Sequence, residues 1–291
     1  MRLSTFLGIC LVAAACRPAP GTRASGITDD LGNRVTVDHE PRRIVSLSPA
    51  TTELLFALGW GDRVVGRTRY CDFPAEALRV PDVGEGLNPN IEAVAAQKPD
   101  LVVMYATAAN SQAVQQLASL GVPAVNVKFD RLADLPHSAR LLASLIGDIA
   151  RVDSFARSYE RSLDSLSHVS RGSPRRVAMI VWDNPPIVIG AGSYLSELVA
   201  LAGGKNVFDD IPQPSPTVSI ETIAARNPDM LLFMSQDSAG PSYARRPEWQ
   251  PVRAVRERRF GNPYGSEFNR PSPRIVQAVS ELETLFRTGG K

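Results

Sequence analysis

One passage of this chain is written twice. Residues 90–105 read NIEAVAAQKPDLVVMY and residues 219–234 read SIETIAARNPDMLLFM. Aligned without a gap they share Ile91/Ile220, Glu92/Glu221, Ala95/Ala224, Ala96/Ala225, Pro99/Pro228 and Asp100/Asp229. Two more echoes keep the same order. PRRIV (41–45) matches PRRVA (174–178), and TTELLFALG (51–59) matches LSELVALAG (195–203), setting Glu53 against Glu197. Each half therefore runs through a basic turn, a strand, a Glu-bearing helix, and then a second helix and strand. Alternating strands and helices imply right-handed βαβ units and mainly parallel sheets. Two similar α/β halves leave one natural site, the crevice between them.

The totals narrow what such a crevice can serve. With 291 residues, 44% of them apolar, the chain can build two cores. A net charge of +2 is too small for a nucleic-acid surface. No run of eighteen apolar residues exists that could cross a membrane as a helix. The N-terminus reads as an export leader (1–16): Met1-Arg2 is basic, Leu3 to Ala15 is apolar, and Ala13-Ala14-Ala15-Cys16 resembles a bacterial lipobox. Cleavage there makes Cys16 a lipidated N-terminus; an ordinary Ala-x-Ala cut instead releases a soluble chain. Residues 17–26 read as a flexible tether. With Cys10 and Cys16 in the leader, Cys71 is left alone and no internal disulfide can form.

The pattern along the mature chain predicts α/β architecture, with two Rossmann-like lobes of mainly parallel sheet joined by a single long helix. ITDDLGNRVTV (27–37) reads as a hairpin, and strands are expected at 43–47, 63–66, 101–105, 124–127, 177–182 and 230–234. No strand signal occurs between about 132 and 170. There Leu141, Leu142, Leu145 and Ile149 form one helical stripe and Phe155, Tyr159, Leu163 and Leu166 another, with a break at Gly147-Asp148. The expected divisions are an N-terminal lobe (27–147), a connecting helix (148–170) and a C-terminal lobe (171–291). A stiff helical connector predicts a small hinge motion.

The run DDLGNRVTVDHEPRRIVSLSPATTELLFALGWGDRVVG resembles the opening of the helical-backbone (class III) periplasmic substrate-binding proteins of ABC importers. Within that class Tyr70-Cys71-Asp72-Phe73-Pro74, Asn184-Pro185-Pro186 and Asn269-Arg270-Pro271-Ser272-Pro273-Arg274 resemble the cobalamin-binding branch. The resemblance implies a monomeric, exported, non-enzymatic receptor. It would catch a corrinoid in the interlobe cleft and hand it to a permease and its ATPase, anchored to the membrane if Cys16 is processed. It further implies that Glu92 and Glu221 dock on arginines of the permease. Both fall early in equivalent helices, where a carboxylate also suits the helix dipole.

Tyr70, Trp182, Phe268 and Arg270 sit in connections that follow strands, where α/β sheets bind ligands, and are the expected ligand contacts. The stretches Gly84–Leu87 and Pro214–Pro216 lack aromatic walls that the cobalamin branch carries, so a siderophore or haem stays open as an alternative ligand. Glu53 and Glu197 are read as first-turn helix charges rather than catalytic acids. Three scattered histidines supply neither a zinc site nor a catalytic set. No metal or cofactor is expected, and no nucleophile elbow is present. Gly190-Ala191-Gly192-Ser193 is expected to allow close approach of the backbone to the ligand or to the neighbouring helix.

Overall fold

The computed structural model describes residues 25–169, 172–235 and 240–289. The expected leader, Cys16 and nearly all of the tether lie outside them. A hairpin pairs β1 (Ser25–Thr28) with β2 (Arg34–Val37). Next come β3 (Ile44–Ser46), α1 (Pro49–Ala57), β4 (Val64–Arg67), α2 (Ile91–Ala96), β5 (Leu101–Tyr105), α3 (Ser111–Ser119) and β6 (Ala124–Val127). Their strands form a parallel sheet of order β4-β3-β5-β6. Two helices follow, α4 (Asp134–Ile146) and α5 (Ile149–Ser167). The break between them falls where expected, with Gly147 at φ 95° and Asp148 at φ 61°, both left-handed.

The second half holds β7 (Arg175–Asp183), β8 (Pro186–Val188), α6 (Tyr194–Leu201), β9 (Gly204–Asn206), α7 (Ile220–Arg226), β10 (Met230–Phe233), α8 (Arg253–Arg256), β11 (Phe260–Gly261) and α9 (Ile275–Thr288). Its sheet runs β11-β10-β7-β8, with β9 also on β7, and only β8 is antiparallel.

The repeated residues turn out to be an assembly device. The Asp100 carboxylate accepts the backbone N–H groups of Arg42 (2.9 Å) and Arg43 (2.8 Å), and the Arg43 guanidinium returns to the carbonyls of Gln97 and Lys98. In the second half Asp229 accepts the Arg176 N–H (3.2 Å), and the Arg176 guanidinium reaches the Arg226 carbonyl. The basic turn and the Pro-Asp stop thus fix the same register twice, Ile44 opposite Leu101 and Val177 opposite Met230.

Side-chain alternation then divides each sheet between two cores. Ile44, Leu101 and Val103 face inward with Val177, Met179, Met230 and Leu232, in a cluster that continues through Leu142, Val152 and Tyr159 of α4 and α5 and Leu198 and Ile275 of α6 and α9. Val45, Val102 and Met104 face a local outer core with Val94 and Leu117; Ala178, Ile180 and Leu231 face another with Ile223 and Trp249. The two lobes share one continuous apolar interior, and swinging them apart would expose it.

Candidate functional site

Glu53 does not sit in the first turn of its helix, as its repeat position suggested; it is the fifth residue of α1 and 2% exposed. Its carboxylate crosses to the other lobe. It accepts hydrogen bonds from Arg270 Nε (2.9 Å), Arg274 Nε (2.8 Å) and Nη2 (3.1 Å), and the Ser272 hydroxyl (2.5 Å). Arg270 also pairs with Asp72 (2.7 Å), and Arg274 with Glu267 (2.6 Å). The Arg274 guanidinium lies 3.7 Å over the Phe73 ring. Burial works against the Arg274 charge, but the Glu53 and Glu267 carboxylates outweigh it and push its pKa up. An ion pair this dry holds only because every charge is met; removing one partner is strongly destabilising.

The repeat-related Glu197, in the first turn of α6, makes the reverse crossing. It pairs with Arg131 (2.7 Å to Nε) and accepts the Leu132 N–H (2.8 Å), both ahead of α4. Arg131 also donates to the Ala191 carbonyl (2.8 Å). That carbonyl is presented by the Gly190–Ser193 segment, whose close approach is to the backbone of the 211–214 connection rather than to a helix, because that connection folds directly over the two glycines. A Cβ on Gly190 would lie 2.1 Å from the Gln213 carbonyl oxygen, and one on Gly192 2.4 Å from that of Pro212. Each lobe therefore extends one glutamate into a basic connection of the other.

The four expected ligand contacts separate by exposure. Tyr70 (58% exposed) follows β4, whereas Trp182 (60%) lies within β7, next to its last residue, rather than in a connection, its Nε1 donating to the Asn184 carbonyl (2.8 Å). These two present free aromatic surface at the carboxyl edges of the two sheets. Phe268 has no exposed surface, and its carbonyl accepts the Tyr194 hydroxyl (2.7 Å). Arg270 is 6% exposed and saturated by Glu53 and Asp72. Both belong to the floor between the lobes rather than to a ligand-facing surface, because Phe268 packs inward and Glu53 claims the guanidinium. Below Trp182 a groove of about 710 Å³ follows the ends of β7 and β10, lined among others by Asp183, Phe233, Tyr243, Arg245, Arg258 and Phe260.

Glu92 and Glu221 are exposed in the first turns of α2 and α7. Both helices are capped alike, Asn90 accepting from the Ala93 N–H and Ser219 from the Thr222 N–H. The Glu221 carboxyl is held below the usual range by its own backbone N–H and by Ser219, so it stays ionised. Beside Glu92 an open depression is lined by Pro89, Gln116, Ser119 and the exposed Leu120. Cys71 is fully buried against the hydroxyls of Thr52 and Thr68, each at 3.1 Å. Among the described residues no cluster of His, Cys, Asp and Glu is grouped to hold a metal. None of their helices is long and apolar enough to cross a membrane.

Residues 44–261 match the family model described as periplasmic binding protein. The vitamin B12-binding protein of Pectobacterium carotovorum subsp. carotovorum is 27% identical over 245 residues, 83% of this chain and 87% of that protein. The crystal structure of the periplasmic vitamin B12 binding protein of Vibrio cholerae is 26% identical and superposes with a TM-score of 0.70, covering 86% of this chain and 98% of the other. The periplasmic heme-binding protein of Roseiflexus sp. RS-1, in apo form, shares the fold at a TM-score of 0.75 with 24% identity, over 86% and 99% of the two chains.

Proposed function

Because the chain belongs to the periplasmic binding protein family, a family of solute receptors and not enzymes, we propose that it captures a corrinoid between its lobes and delivers it to an ABC importer. The observation that carries this reading is the pair of exposed aromatics, Tyr70 on one lobe and Trp182 on the other. Each stands at the carboxyl edge of its sheet, above a floor tied across the lobes by Glu53 and Glu197. Aromatic faces on the two lobes suit a broad macrocycle, whose ring faces gain from burial and from ring contact while its polar rim stays at the edge. The similarity to vitamin B12-binding proteins over most of the chain supports a corrinoid in particular.

Delivery is assigned to Glu92 and Glu221, equivalent carboxylates on equivalent helices, which fit a permease of two-fold symmetry bearing basic groups. Exposed pairs add about 0.2–1 kcal/mol each, so their service is orientation and encounter rate. Export to the periplasm follows from this role, and anchoring through Cys16 is part of the same proposal. Titration of the purified chain with cyanocobalamin tests capture: binding at micromolar concentration or tighter is expected, and no heat of binding would exclude this ligand. In cells, Glu92→Ala with Glu221→Ala is expected to abolish import and leave binding intact; persistent import would remove the docking role.

A further inference from the structure

The groove below Trp182 carries an imbalance of charge. Its only carboxylate among the described lining residues, Asp183, is already paired with Arg246. Arg245 and Arg258 line the same groove, are exposed, and have no side-chain hydrogen bond or ion pair among the described residues. The arginines that tie the lobes together are paired: Arg270 and Arg274 with Glu53, Arg131 with Glu197. Arg245 and Arg258, unlike them unpaired among the described residues, stand beside an aromatic base. That base is Phe233 set edge-on to Phe260 (6.2 Å, 88°) and Tyr243 stacked on Trp249 (4.2 Å). Burial pushes the Tyr243 hydroxyl pKa up, so it remains neutral and the groove keeps its positive charge.

We infer that this groove receives an anionic group, a phosphate or carboxylate, borne by the ligand whose ring system lies against Trp182, and that Arg245 and Arg258 hold it. Arginine forks match such groups in shape and charge and are the strong form of this contact. The inference rests on the cleft-capture reading above and selects among its ligands, favouring those with an acid over neutral macrocycles. In a corrinoid the acid is the phosphodiester of the nucleotide loop; in a haem it is the propionates.

The haem pair differs only at its two carboxylates and the corrinoid pair in the whole nucleotide loop, so the decisive reading is how far the variant lowers each preference. Wild type and the Arg245→Gln/Arg258→Gln variant are titrated with cyanocobalamin against dicyanocobinamide, which lacks the phosphodiester, and with haem against its dimethyl ester. In wild type the acid-bearing member of whichever pair binds is expected to bind at least about tenfold more tightly, with an affinity that falls as salt rises. The double variant should lose most of that preference, through weaker binding of the acid-bearing member. Equal affinity of both members for wild type, or an undiminished preference in the variant, overturns the inference and leaves cleft capture standing. If no member of either pair binds wild type, cleft capture of these ligands fails, and this inference fails with it. Circular dichroism and thermal unfolding of the variant are expected to match wild type, since neither side chain bonds another described residue.

Discussion

Asp29 shows how much one side chain contributes to the entry of this fold. It is 5% exposed and accepts the N–H groups of Leu31, Asn33 and Asn126 and both of those asparagine amides, tying the hairpin to β6. Burial raises its pKa, but the Asn126 amide and the Asn33 and Asn126 contacts outweigh this and hold the carboxyl below 3.8. A depressed folded pKa stabilises the protein at all pH above the unfolded value, and this is lost as pH falls through the folded one. Asp29→Ala is expected to cost about 2 kcal/mol near neutral pH. In urea unfolding the gap from wild type should persist at pH 6 and shrink below pH 4; a gap independent of pH would contradict the assignment. Some residues were readable singly. Gly190 and Gly192 sit in a glycine pair that only a crowded backbone demands, and Gly86, whose Cβ would lie 2.1 Å from the Leu47 carbonyl oxygen, explains why no aromatic wall occupies its place. Glu53 was not readable, because its partners lie 217 to 221 residues downstream and no local pattern announces them.

At the scale of elements, β3, β5, β7 and β10 were legible because each is a dense apolar run bounded by repeated turn residues. β8, β9 and β11 were not: at two or three residues each they are too short to carry a period, and the strands beside them create them. The long helix α5 was legible from its stripe, and its start from Gly147 and Asp148. The Asp100 and Asp229 clasps make the repeat a requirement of strand placement rather than a relic. Asp100→Ala should lower stability by about 1–2 kcal/mol through loss of the Arg42 and Arg43 contacts, and Asp229→Ala by a similar amount, since it also frees Arg253 (2.7 Å). Thermal melts of the two variants test this, and an unchanged melting temperature in both would leave the repeat without this structural cause.

Over the whole molecule, the shared inner core and the two reciprocal glutamates oppose lobe separation. The Glu53 network is dry, so Glu53→Gln, which keeps shape and removes charge, is expected to cost about 3 kcal/mol. The Glu197–Arg131 pair is wetter, its side chains 25% and 43% exposed, and Glu197→Gln should cost about 1 kcal/mol or less. Chemical denaturation that ranked them in the reverse order would contradict this account of the interface. The duplication announced two lobes and a crevice, and the paired glutamates were visible as an echo. What could not be read was that this echo spans the gap, a property of the assembled pair of lobes and of neither half alone.

The central claim is that one ligand touches both lobes at once, against Tyr70 and Trp182. Hydroxyl-radical footprinting read by mass spectrometry tests it directly, with and without saturating cyanocobalamin. Tyr70 and Trp182 should both be oxidised in the free protein and both protected in the complex, while the exposed Ile149 of α5 and Val276 of α9 (60% and 53% exposed) react equally in either state. Bound ligand that protects only one of the two aromatics, or neither, would contradict capture between the lobes.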